Sequence, residues 1–109
     1  MNYRLKKRKT FNYIYKHGKH AGGSFIGVVY CAAGSAPNAK FGFSASKKVG
    51  NSVVRHRAVR LMREAVRPFI AAVNQNNNYI LVAKEGIEKQ HLLYITLDTE
   101  KVFRKCGLL

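Results

Sequence analysis

Acid is what this sequence most lacks. Five Asp and Glu stand against 20 Lys and Arg in 109 residues, a formal net charge of +15 at pH 7. None of the five precedes Glu64. Metal-dependent nuclease chemistry needs two or three converging carboxylates, because Mg²⁺ is held by hard oxygen ligands. Residues 1–63 hold no carboxylate, and Glu64, Glu85, Glu88, Asp98 and Glu100 would have to meet across separate elements. Cysteine is equally sparse. Cys31 and Cys106 have no metal-type spacing, so they read as free thiols of a reducing cytosol, and the expected location is cytoplasmic. No apolar run approaches the ~18–20 residues of a membrane span. The longest, over residues 25–33, is strand-sized and interrupted by Gly27. The basic N-terminus has no apolar h-region, which excludes a secretory signal, and it runs straight into fold signals, unlike a transit peptide.

What is present is charge of one sign, unevenly placed. Residues 1–63 carry 14 Lys and Arg, and residues 64–109 carry six with all five acids. A net charge this high opposes compaction and points to a polyanionic partner. The apolar fraction of 47% supports a real core, and the length suits one domain, with residues 1–9 read as a flexible basic lead-in.

Thr10 can cap a short helix over residues 10–16, which places Phe11, Ile14 and Tyr15 on one face, and Gly18 suits its end. Residues 24–31 (SFIGVVYC) and 40–46 (KFGFSAS) read as two strands of a hairpin around a loop at residues 34–38. Asn51 or Ser52 caps a long helix from about Val53. On it Val54, Ala58, Leu61, Ala65 and Phe69 share a face with Met62 beside them. His56, Arg60, Arg63 and Arg67 lie opposite, with Arg55 and Arg57 on the flanks. Val59, Val66 and Ile70 form a second, smaller stripe, and Pro68 kinks or ends the helix. Residues 79–84 (YILVAK) are a short buried strand. A strand, a helix and a strand in succession predict a parallel pair. Residues 91–105 read as a helix although Tyr94-Ile95-Thr96-Leu97 favours a strand locally. Leu92, Ile95, Thr99, Val102 and Phe103 share its inner face. The sum is an α+β sandwich with helices on one mostly antiparallel sheet.

Solvated helices mix charge signs, yet Arg55, Arg57, Arg60 and Arg63 repeat one sign over three turns. Phosphates would screen that repulsion, and the guanidinium fork suits them. Eight of the 12 aromatic residues fall within residues 1–43, among the bases. Charge combined with stacking rings is the pattern of single-stranded nucleic-acid grooves. A helix-turn-helix needs a preceding helix where this chain has a strand. A membrane-surface helix would not be embedded between two strands. The histidines 17, 20, 56 and 91 are too few and scattered to signal paired acid–base cleavage.

Residues 44–67 (SASKKVGNSVVRHRAVRLMREAVR) resemble the signature of the bacterial ribonuclease P protein subunit. That signature is a strand ending in Ser-x-Ser-Lys-Lys, then Gly-Asn, an Arg-Asn-Arg core and x-x-Arg-Leu-x-Arg-Glu. Residues 5–11 (LKKRKTF) with Tyr15 and Gly18 match the family's opening helix, residues 80–84 its last strand and residues 102–105 its closing helix. His56 stands where the motif has Asn, and Tyr15 where Phe is frequent. Residues 92–99 are more apolar and less acidic than the family's last helix.

The resemblance implies an αβββαβα sandwich with a left-handed βαβ crossover and a short extra strand near residues 19–22. It also implies a catalytic RNA partner that uses Mg²⁺, with no metal site and no catalytic residue in the protein. The holoenzyme would remove the 5′ leader of precursor tRNA by endonucleolytic hydrolysis. Carried over by position, Lys48, Asn51, Arg55, Arg57, Arg60 and Arg63 would face the RNA subunit. Phe11, Tyr15, Ser46, Lys47 and Lys84 would line the leader cleft. No protein partner and no membrane contact is expected. The alternative is a ribosomal or general RNA-binding protein without a processing role.

Overall fold

The computed structural model describes residues 3–33 and 38–109. Element order is α1 (Arg8–His17), β1 (Lys19–Gly22), β2 (Ile26–Ala32), β3 (Phe41–Ser44), α2 (Ser52–Val66), β4 (Asn77–Ala83) and α3 (Leu92–Lys105). This is the expected αβββαβα order, with the extra strand at Lys19–Gly22. Single 3₁₀ turns follow α2 at Arg67–Phe69 and β4 at Ile87–Lys89.

The sheet order is β1-β2-β4-β3. β1 and β4 both run antiparallel to β2, and β3 runs parallel to β4. The β3–α2–β4 crossover therefore supplies the expected parallel pair. The expected hairpin of residues 24–31 with 40–46 does not form, because β4 lies between those strands. The hairpin is β1–β2 instead. β4 is apolar on both faces (Tyr79, Ile80 and Leu81 are fully buried), so it belongs in the sheet's interior. The four-residue β3 takes the edge and is joined there by the chain's start. Phe41 N–H donates to Tyr3 O at 2.6 Å, and Leu5 N–H to Phe41 O at 2.9 Å. The Tyr3 ring meets Phe41 edge-on at 6.1 Å. The basic lead-in is thus tied to the sheet at Tyr3 and Leu5 rather than free.

Alternation along the strands divides the core. Ile26, Val28, Phe41, Tyr79, Leu81 and Ala83 face α2 and α3 and form the main core with Ala58, Met62, Ala65, Val66, Ile95, Val102 and Phe103. Val29 and Ile80 face the other way and pack with Ile14 of α1, flanked by Leu5, Phe11, Cys31 and Val82. So α1 covers one face of the sheet, and α2 with α3 covers the other. The second stripe of α2 belongs to the same main core, where Val66 is fully buried and Val59 and Ile70 pack beside it.

Helix ends differ from expectation in two places. α1 starts at Arg8, with Lys7 as an N-cap that makes no side-chain cap bond, so Thr10 lies inside the helix. Gly18 ends α1 in extended backbone rather than left-handed, its N–H donating to Ile14 O at 2.7 Å. α2 is capped as expected by Asn51, whose Oδ1 accepts from Val54 N–H at 3.0 Å. Its last residue precedes Arg67-Pro68-Phe69, where proline has no N–H to continue the ladder. α3 forms over Tyr94–Leu97 because its buried face outweighs local strand preference.

Candidate nucleic-acid interface

The basic residues of α2 divide into a hollow and two flanks. His56, Val59, Arg60 and Arg63 line a depression of about 270 Å³. The Arg63 guanidinium carbon lies 5.9 Å from the centre of the Phe43 ring of β3. The Nε atoms of Arg55 and Arg63 are buried and have no hydrogen-bond partner. Arg55 Nη2 reaches Ser52 Oγ at 3.4 Å. Arg57 and Arg60 are exposed, as are Lys48 and Asn51 at the helix entry. None of the four arginines 55, 57, 60 and 63 has a carboxylate partner among the described residues. Downstream, Arg67 pairs with Glu64 at 3.1 Å, so the unpaired stripe ends where the first acid appears.

The opposite face of the sheet carries the aromatic side. Phe11 is half-buried on α1 and, with Lys6, Arg8 and Asn12, lines an open hollow of about 460 Å³. A Cβ on Gly42 would lie 2.4 Å from the Phe11 ring, so only glycine lets the ring settle on β3. Tyr15 is 38% exposed on the same helix. Ser44 and Val82 are register partners, so β3 and β4 end side by side. Ser46, Lys47 and Lys84 leave those adjacent strand ends and are all exposed. Lys84 Nζ donates to Gly23 O in the β1–β2 turn.

Of the first expected group, Arg55, Arg57, Arg60 and Arg63 lie on α2 with Lys48 and Asn51 at its entry, whereas of the second Phe11 and Tyr15 lie on α1 and Ser46, Lys47 and Lys84 follow the ends of β3 and β4. Within the first group the hollow takes only Arg60 and Arg63. His56, left unassigned by the sequence, shares it. Lys6, Arg8 and Asn12 were also missed beside Phe11. Lys6 and Arg8 sit in a charge run that carries no signal of which members turn toward a ring.

Three of the five carboxylates are engaged within the protein. Both oxygens of Asp98 accept backbone N–H groups, from Ser24 and Phe25 at 2.9 Å and Ile26 at 3.1 Å. Glu64 and Glu100 pair with Arg67 and Arg104. Among the described residues no three His, Cys, Asp or Glu gather. Among the described residues no helix is long and apolar enough to cross a membrane. Two phenols are perturbed. Burial pushes the Tyr79 hydroxyl above its usual range, and it donates to Asn74 O at 2.7 Å. Burial and then the neighbouring Cys106 thiol raise Tyr30.

The ribonuclease P family model matches residues 1–107. The chain belongs to the ribonuclease P protein family. The ribonuclease P protein component of Syntrophomonas wolfei is 30% identical over 105 residues, covering 96% of this chain and 87% of that one. That of Caldanaerobacter subterraneus subsp. tengcongensis is 33% identical over 105 residues, covering 96% and 90%. The solved RNase P protein of Staphylococcus aureus superposes with a TM-score of 0.85 at 27% identity, covering 99% of this chain and 98% of that one. This chain is accordingly a ribonuclease P protein subunit with a role in tRNA processing.

Proposed function

We propose that this ribonuclease P protein works in the cytoplasm by holding two RNAs on opposite faces of one sheet. The catalytic RNA subunit docks on α2 through Lys48, Asn51, Arg55, Arg57, Arg60 and Arg63. The single-stranded 5′ leader of precursor tRNA lies in the α1 cleft against Phe11, Tyr15, Ser46, Lys47 and Lys84. The observation that carries this reading is the pairing of an arginine stripe on α2, without carboxylate partners among the described residues, with an open, ring-floored hollow on α1. Arginines supply phosphate contacts that orient without reading sequence. Phe11, seated on Gly42, offers a face on which any base can stack.

On this reading the reactive centre lies in the RNA partner, in keeping with the lack of any gathering of three His, Cys, Asp or Glu among the described residues. Mg²⁺ bound by that RNA supplies the metal chemistry. The protein's cations neutralise phosphate repulsion between the two RNAs and so raise substrate affinity. RNA-free protein should leave precursor tRNA intact, yet stimulate cleavage by a bacterial ribonuclease P RNA at low Mg²⁺. Robust cleavage by protein stripped of RNA would contradict the assignment.

A further inference from the structure

The β1–β2 turn separates the leader cleft from a second basic hollow. Gly22, Gly23 and Ser24 line a depression of about 220 Å³ together with Asp98, Lys101 and Lys105 of α3. The same turn touches the cleft. Gly23 O accepts from Lys84 Nζ, and a Cβ on Gly22 would lie 3.0 Å from that ammonium. The turn is therefore a low ridge without side chains at Gly22 and Gly23, with Lys84 on one flank and Lys101 and Lys105 on the other. A ribose-phosphate backbone can cross such a ridge closely.

The charges around the hollow favour an anion. Lys101 and Lys105 are exposed, stand at i and i+4, and have no carboxylate partner among the described residues. Like charges at that spacing repel one another unless an anion sits between them. Asp98 is the one acid lining the hollow. It is 8% exposed, and both its oxygens are occupied by the amides of Ser24, Phe25 and Ile26. A Cβ on Gly23 would fall 2.4 Å from Asp98 Oδ1, so the turn is moulded onto that carboxylate. Glu100, on the same helix, is bound by Arg104 at 2.9 Å.

Resting on the leader reading above, we propose that Lys101 and Lys105 extend the leader path. They would take phosphates of the single-stranded RNA that has passed Lys84 and crossed the Gly22–Gly23 ridge onto α3. The contact is electrostatic and indifferent to sequence, and it serves only leaders long enough to reach α3.

The test uses the reconstituted holoenzyme with precursor tRNAs whose leaders run from about two to about ten nucleotides. The Lys101→Ala/Lys105→Ala protein should bind long-leader substrate roughly 3- to 10-fold more weakly. Short-leader affinity should not change, and Lys101→Arg/Lys105→Arg should restore the long-leader value. The salt slope for long leaders should fall by roughly 0.7 per lost contact. A variant that keeps the wild-type preference for long leaders overturns this extension alone. Equal loss at both lengths also overturns it, because the lysines would then serve the fold or the RNA subunit. A wild-type protein blind to leader length overturns the leader reading and the extension together.

Discussion

Asp98 shows how much a single side chain organises here. Its carboxylate, carried on α3, ties down the turn between β1 and β2 from more than 70 positions away in sequence. Removing it leaves three buried or half-buried amides without an acceptor. Asp98→Ala should cost roughly 3–5 kcal/mol, and Asp98→Asn, which keeps one acceptor oxygen, clearly less. Urea unfolding of the two variants checks the ranking. Nothing in the sequence marked Asp98, because a lone acid on a helix reads as solvent-facing until the turn is placed beneath it. Tyr79 gives a second test at this scale. Its hydroxyl is raised from the ordinary 10.0 by burial, so the folded state holds that proton more firmly than the unfolded chain does. Stability should be intact below pH 10 and fall as pH rises from there through the folded value. Tyr79→Phe should flatten that alkaline loss in a thermal-denaturation series, leaving the part due to Tyr30.

Among elements, α2 was the most legible. Its inner face follows from helical periodicity, and the Asn51 cap and Pro68 stop are local signals that the fold obeys. Strand partnership was not legible. Local sequence shows that residues 24–31 and 40–46 are strands, but only the double-sided burial of β4 decides that it lies between them. The seating of residues 3–5 on β3 was hidden for the same reason, since it depends on an edge that exists only after the sheet forms. Asn51 also separates two roles. Asn51→Ala should remove the cap on Val54 N–H and lower stability by ~1 kcal/mol. Asn51→Asp keeps the cap and should preserve the melting temperature, yet place a negative charge beside the phosphates and weaken binding of the RNA subunit. Equal RNA affinity for Asn51→Asp and wild type would leave Asn51 a cap and nothing more.

The molecule as a whole measures 37 × 27 × 26 Å, and its sheet separates α1 on one side from α2 and α3 on the other. Screening falls off over about 8 Å at physiological salt, so Arg57 and Arg60 on α2 act weakly on Phe11 across the sheet, whereas the neighbouring Lys47 and Lys48 are felt on both surfaces. The two surfaces should therefore respond to mutation separately, and that separation is the central claim. It is tested most directly by measuring RNA-subunit affinity and leader-length dependence together in the reconstituted complex. Arg57→Ala/Arg60→Ala should weaken RNA-subunit binding and reduce its salt slope by roughly 1 per lost contact while keeping the leader preference. Phe11→Ala should erase the leader preference while leaving RNA-subunit affinity unchanged. If instead both variants lose both properties in parallel, the two-faced account is wrong.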